Sequence, residues 1–150
     1  MPNQPPSHDA PSHRAEFELS NDPRAVRERA EQLIEHAERA GYAKAARFAV
    51  RLAFEEAVTN AFRHGHRELP ESATVRVEIE ISPEAIRLTV EDQGPGFEPG
   101  EVPDPTLAEN LSKPFGRGLM LIRAYMTRVR YNERGNRVEM EYRPQPGGAT

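Results

Sequence analysis

Residues 74–92 read TVRVEIEISPEAIRLTVED, and their periodicity decides the fold. Val75, Val77, Ile79 and Ile81 occupy every second position, with Arg76, Glu78 and Glu80 between them. Successive side chains of a strand point to opposite faces, so this alternation predicts a strand with one apolar and one solvated face. Ser82-Pro83-Glu84 is a turn, after which Ile86, Leu88 and Val90 resume the alternation. The two runs are expected to pair as antiparallel neighbours over one core. Counting on by twos, Asp92 stands where the next buried side chain belongs. A buried acid needs a partner, and a ligand donor such as the exocyclic amine of adenine would supply one.

Upstream the period changes. Asn21-Asp22-Pro23 has the chemistry of a helix start, a carboxylate to cap free amides and a proline at the first helical position. Val26, Ala30, Leu33, Ile34 and Ala37 then recur at helical spacing, and Gly41 ends that helix. A second helix is expected from about Lys44 to His64, with Val50, Phe54, Val58 and Ala61 as its apolar stripe and Gly65 as its stop. Before both lies a short strand, Ala15 to Ser20, with Phe17 and Leu19 on one face. Downstream, residues 98–115 carry four prolines and read as a loop where a lid would sit. Leu119 to Met126 is expected to be a short helix. Val129 to Asn132 and Arg137 to Tyr142 are expected strands, joined by the hairpin-like turn Glu133-Arg134-Gly135-Asn136. This order predicts an α+β fold, a two-layer α/β sandwich whose sheet is mixed but mostly antiparallel, with the helices packed on one face.

At 150 residues and 37% apolar composition, one domain with one core is expected. The leader, residues 1–13 (MPNQPPSHDAPSH), is polar and proline-rich and is expected to be disordered. The domain then spans 14–143, with a flexible tail at 144–150. The net charge of −4 comes from interspersed acids and bases, which gives no footprint for nucleic acid or an anionic membrane. With no cysteine in the chain, disulfides and thiolate metal sites are excluded. No apolar run approaches the roughly 20 residues of a membrane helix, and the N-terminus lacks a signal-peptide core, so a cytoplasmic protein is expected.

Three constellations carry chemistry. Glu56, Asn60 and His64 are spaced by four on the second helix and would stack along one stripe. Asn60 offers an amide oxygen, a hard ligand suited to Mg²⁺, and Glu56 could deprotonate an attacking hydroxyl. Glu55 points about 100° away. Alone, this stripe fits a solvated helix face equally well. Asp92-Gln93-Gly94-Pro95-Gly96-Phe97 ends the second strand with a carboxylate followed by glycines, which leave room for a flat ring; an ordinary strand-ending turn is the alternative. Gly116-Arg117-Gly118-Leu119-Met120-Leu121-Ile122 leads into the amino end of a helix. Free amides there attract phosphates, with Lys113 and Arg117 as nearby cations, although a flexible loop before an amphipathic helix has the same composition. No P-loop motif occurs.

Taken together and in order, these stretches resemble the GHKL ATPase domains shared by gyrase B, MutL and histidine kinases. Glu56…Asn60…His64 is similar to that family's N box, Asp92-x-Gly94-x-Gly96-Phe97 to its first glycine box, and Gly116-x-Gly118-Leu119 to its second. The closer resemblance, over roughly residues 15–143, is to the bacterial anti-sigma-factor serine/threonine kinases of the RsbW and SpoIIAB type. It rests on Phe54-Glu55-Glu56-Ala57-Val58-Thr59-Asn60-Ala61 with His64-Gly65, on Lys113-Pro114-Phe115-Gly116-Arg117-Gly118-Leu119, and on residues 129–136.

The resemblance implies a Bergerat-type sandwich that uses ATP and Mg²⁺, with Glu56 as general base, Asn60 as Mg²⁺ ligand and Asp92 as adenine reader. It also implies that Gly94, Gly96, Gly116 and Gly118 shape the pocket and lid, with His64, Arg117 and Leu119 lying in the matched boxes and Lys113 in the matched stretch just before the second glycine box. Such proteins are often homodimers; they sequester a sigma factor and phosphorylate a serine on a STAS-class antagonist. On the first helix, Arg24 or Arg27 invites comparison with their partner-binding surfaces. Two other classes are weighed. One is an ATP-dependent binding module that sequesters a sigma factor or other regulator without phosphotransfer. The other is the ATP-binding half of a two-component histidine kinase, which needs a helical hairpin with a phospho-accepting histidine; His8 and His13 fall in the leader, so that class is not expected.

Overall fold

The computed structural model describes residues 13–65, 69–70, 72–94, 122–133 and 135–144, without the side chains of residues 64 and 65. The alternating stretch forms two strands. In chain order the elements are β1 (His13–Leu19), α1 (Pro23–Arg39), α2 (Lys44–Asn60), a π-helical segment (Ala61–Gly65), β2 (Val75–Ile81), β3 (Ile86–Glu91), β4 (Arg128–Tyr131) and β5 (Arg137–Tyr142). Residues 122–125 make one helical turn. The strand order is β1-β2-β3-β5-β4. All four neighbouring pairs are antiparallel, so the described sheet has no parallel pair.

Register follows the period of two. Phe17 stands opposite Val77, Val77 opposite Val90, and Val90 opposite Val138. These side chains share one face with Leu88, Ile86 and Met140, and there they meet Leu33, Val50, Phe54 and Val58 of the helices in one core. The other face alternates in sign. Arg87 Nε lies 3.0 Å from Glu141, Arg143 reaches the same carboxylate at 3.3 Å, and Arg76 reaches Glu16 at 2.8 Å. Burial alone would raise the pKa of Glu141, but hydrogen bonds and charge from Arg143 and Arg87 prevail and lower it.

Helix α1 is bounded by its own sequence. Asp22 accepts a hydrogen bond from the Arg24 amide at 3.0 Å, and Pro23 takes the first helical position. At the other end Gly41 sits at φ +98°. The Gly41 amide donates to Glu38 O and the Tyr42 amide to Ala37 O, the paired bonds of a Schellman motif, which needs a left-handed residue there. Tyr42 OH then donates to Ser82 O at 2.7 Å, tying the helix connection to the β2–β3 turn.

Two sequence expectations need correction. Strand β1 starts two residues early, so His13 belongs to the sheet and not to the leader: its ring stacks on His36 of α1, with centroids 3.4 Å apart. The second helix does not run as α-helix to His64. Its bonding changes to i→i+5 over Ala61–Gly65. Helix propensity does not distinguish the two patterns, so local spacing could not have marked the change. No helix among the described residues is long and apolar enough to cross a membrane.

Candidate functional site

Glu56 and Asn60 lie on the last turns of α2. Ala53, Phe54, Ala57 and Val58 bury one side of that helix, which leaves Glu56 and Asn60 half-buried at its margin. Four residues of α-helix set them about 6 Å apart along the axis on one stripe. Glu55 is occupied elsewhere, with its carboxylate 3.4 Å from Arg51 Nε. Glu56 makes no hydrogen bond or ion pair among the described residues. The Asn60 amide nitrogen is buried and has no hydrogen-bond partner there. An amide can turn over, so this position can present either Oδ1 to a cation or Nδ2 to an acceptor. The π-helical segment follows immediately. Its wider turn ends the stacking by fours after Asn60. Such segments are frequent at functional sites.

Helix α2 packs against β3, and β3 leads directly into Asp92. This residue is half-buried, and the carboxylate expected to await a ligand donor already has a partner in the protein. Its Oδ1 accepts from the Gly94 amide at 2.8 Å. The short loop makes this bond because Gly94 follows two residues on, the spacing of an Asx turn. A carboxylate can accept about four hydrogen bonds. Gln93 Nε2 donates to Thr74 O at 2.8 Å and anchors the loop to the start of β2.

The β4–β5 connection adds two residues, Asn132, expected from the sequence as the end of a strand, and Asn136, expected as part of the turn. Asn136 is 7% exposed, the one buried polar residue among those described. Its carbonyl accepts from the Asp92 amide at 2.8 Å, and its Nδ2 donates to the Asp92 carbonyl at 3.1 Å. Asn132 Nδ2 donates to Asn136 Oδ1 at 2.9 Å. The signal was present: counting back by twos from Met140 through Val138 reaches Asn136, just as counting forward through Val90 reaches Asp92. Tyr131 on β4 has its pKa pushed up to about 12, mainly by burial; the negative charge of Asp92 adds to the rise and Arg123 opposes it. Tyr131 therefore belongs to the electrostatic surroundings of Asp92.

The remaining sequence candidates, Gly96, Lys113, Gly116, Arg117, Gly118 and Leu119, lie outside the described residues, as does the side chain of His64. Among the described residues no group of three or more His, Cys, Asp or Glu could hold a metal ion. The donor set at α2 instead fits a cation that takes one protein ligand and fills its shell with phosphate oxygens and water, as Mg²⁺ does. A separate hollow of about 540 Å³ lies on another side of α2, against α1, lined by Val26, Arg27, Val58, Phe62 and Arg63 among others. It includes none of Glu56, Asn60 and Asp92.

No curated protein matches the chain. Residues 19–142 match the family described as "Histidine kinase-like ATPase domain".

Proposed function

The chain belongs to the histidine kinase-like ATPase family, and on that premise we propose that it is an ATP- and Mg²⁺-dependent protein serine/threonine kinase of the anti-sigma-factor type. In this reading it sequesters a regulator such as a sigma factor, phosphorylates a serine of a STAS-class antagonist, and acts as a homodimer. One observation carries the phosphotransfer step: among the described residues the Glu56 carboxylate has no hydrogen bond or ion pair, and it stands one turn from the Asn60 amide nitrogen, which has no partner there either.

The roles follow from the chemistry of each group. Asp92 accepts from the exocyclic amine of adenine. Asn60 would hold Mg²⁺ through its amide oxygen, and the ion would supply charge neutralisation at the phosphates. Glu56 takes the proton of the serine hydroxyl as that oxygen bonds to the γ-phosphorus. The bond from the γ-phosphorus to its bridging oxygen breaks, and ADP leaves with the electron pair. Gly94 braces Asp92. Gly96, Lys113, Gly116, Arg117, Gly118 and Leu119 are assigned to the pocket, phosphates and lid, with His64 in the same box as Asn60, on the sequence resemblance.

The test is transfer of labelled γ-phosphate to a purified STAS-domain protein encoded beside this chain. Glu56→Gln should reduce transfer by about 10²–10⁴-fold, with ATP affinity by calorimetry unchanged. Undiminished transfer in that variant would remove Glu56 from the mechanism. No transfer by the wild type, together with ATP-dependent capture of a sigma factor that survives Glu56→Gln, would replace the kinase by a binding module.

A further inference from the structure

We infer that Asn136, held by Asn132, is a positioning residue for base recognition that keeps the Asp92 carboxylate in one orientation at the end of β3. The inference rests on Asp92 as the reader of adenine. It starts from the amide orientations, which the bonds themselves determine. Asn132 Oδ1 accepts three backbone N–H groups, from Gly135 at 2.8 Å, Asn136 at 3.1 Å and Arg137 at 3.2 Å. That end of the side chain must be oxygen, so the other end is the donor that meets Asn136 Oδ1. Asn136 must therefore turn its own Nδ2 towards the Asp92 carbonyl. Each amide fixes the next, and the chain of bonds ends on Asp92.

The consequence for Asp92 is a backbone held on both sides. Its N–H donates to Asn136 O and its C=O accepts from Asn136 Nδ2, while its carboxylate is braced by Gly94. Two residues that are 44 apart in sequence thus extend the Val90–Val138 pairing by one polar rung. Gly135, at φ +77°, supplies the left-handed turn that brings Asn136 back beneath Asn132. A buried asparagine with both amide ends bonded locks its partners more firmly than an apolar residue would.

Rigidity at Asp92 matters because of what guanine offers. Where adenine has an exocyclic amine, guanine has a carbonyl oxygen, which a fixed carboxylate repels. A carboxylate free to swing could instead reach the N1–H and the 2-amino group of guanine. Holding Asp92 still therefore converts a carboxylate that could serve either purine into one that selects adenine.

The experiment measures ATP and GTP dissociation constants by calorimetry for the full chain and for Asn136→Ala, Asn132→Asp and Asp92→Asn, each checked by thermal melting. Asn132→Asp keeps the oxygen that holds the turn but puts a charged acceptor where the donor to Asn136 stood, which turns the Asn136 amide away from the Asp92 carbonyl, so it serves if Asn136→Ala does not fold. Both asparagine variants should lower the preference for ATP over GTP by about tenfold, the scale of one lost buried hydrogen bond, with GTP affinity held or improved. A merely structural role would weaken both nucleotides equally, and that result overturns the inference. If Asp92→Asn abolishes the preference while both asparagine variants keep it, Asp92 remains the reader and the positioning role falls. If Asp92→Asn leaves the preference intact, the assignment of Asp92 falls and the inference falls with it.

Discussion

Replacing Asn60 by leucine should make the nucleotide-free protein more stable while removing its response to ATP. The side chains are nearly the same shape, so the change removes polar atoms without opening a cavity. In the wild type the Asn60 amide nitrogen is buried without a partner among the described residues, a penalty of about 1–3 kcal/mol. Removing it should raise the melting temperature by about 2–4 °C per kcal/mol for a chain of this size. Leucine also has the higher helix propensity, worth a few tenths of a kcal/mol. Thr59→Leu, at the exposed neighbouring position, measures that contribution separately. Melting curves are then taken in a chelator and again with ATP and Mg²⁺. Ligand at a hundred times its dissociation constant stabilises the wild type by about 2.7 kcal/mol, and Asn60→Leu should gain none of this. The two proteins should change rank between the conditions. A variant that is less stable than wild type without nucleotide would show that the amide is satisfied in the folded protein, and a retained ATP response would remove Asn60 from the site.

The stacked pair His13 and His36 predicts a pH dependence. Burial, then the positive charges of His36 and Arg39, lower the pKa of His13 below its ordinary value of 6.5. A histidine depressed on folding adds stability that is present above the unfolded pKa and is lost as pH falls below 6.5 towards the folded pKa. Melting temperature should drop between pH 7.5 and pH 5 more steeply in the wild type than in His13→Gln, and parallel profiles would refute the coupling. In the core, Phe54 is fully buried, so Phe54→Ala should destabilise by about 3–5 kcal/mol; urea unfolding that shows a loss under about 1 kcal/mol, no more than an Ile→Val change costs, would contradict its place under the sheet.

Much of this architecture is legible locally. The β2–β3 hairpin follows from alternation, since a strand has a period of two and a one-residue slip would expose every valine and isoleucine. Asp22 and Gly41 mark the ends of α1 because capping bonds span only a few residues. Glu56 and Asn60 stack for the same local reason, and Glu55 is separated from them by the helical angle alone. The change to π-helix after Asn60 was not legible, because α and π turns draw on the same side chains and differ only in which carbonyl each amide finds. Asn136 was read as turn chemistry, although its position two before Val138 marked it as the inward continuation of β5.

The sequence by itself determined most of the elements and their buried faces, and it set Glu56 and Asn60 on one helical stripe and Asp92 at the end of its strand, since periodicity and caps act within a turn or two of chain. Tertiary structure alone decided the neighbours that are distant in sequence. The order β3-β5-β4 sets Asn136 beside Asp92 and gives that carboxylate a braced backbone. The Asn60 amide, by contrast, is left buried without a partner among the described residues. Hydrogen bonds between residues distant in sequence depend on which strands the sheet makes adjacent, and no local pattern encodes that adjacency.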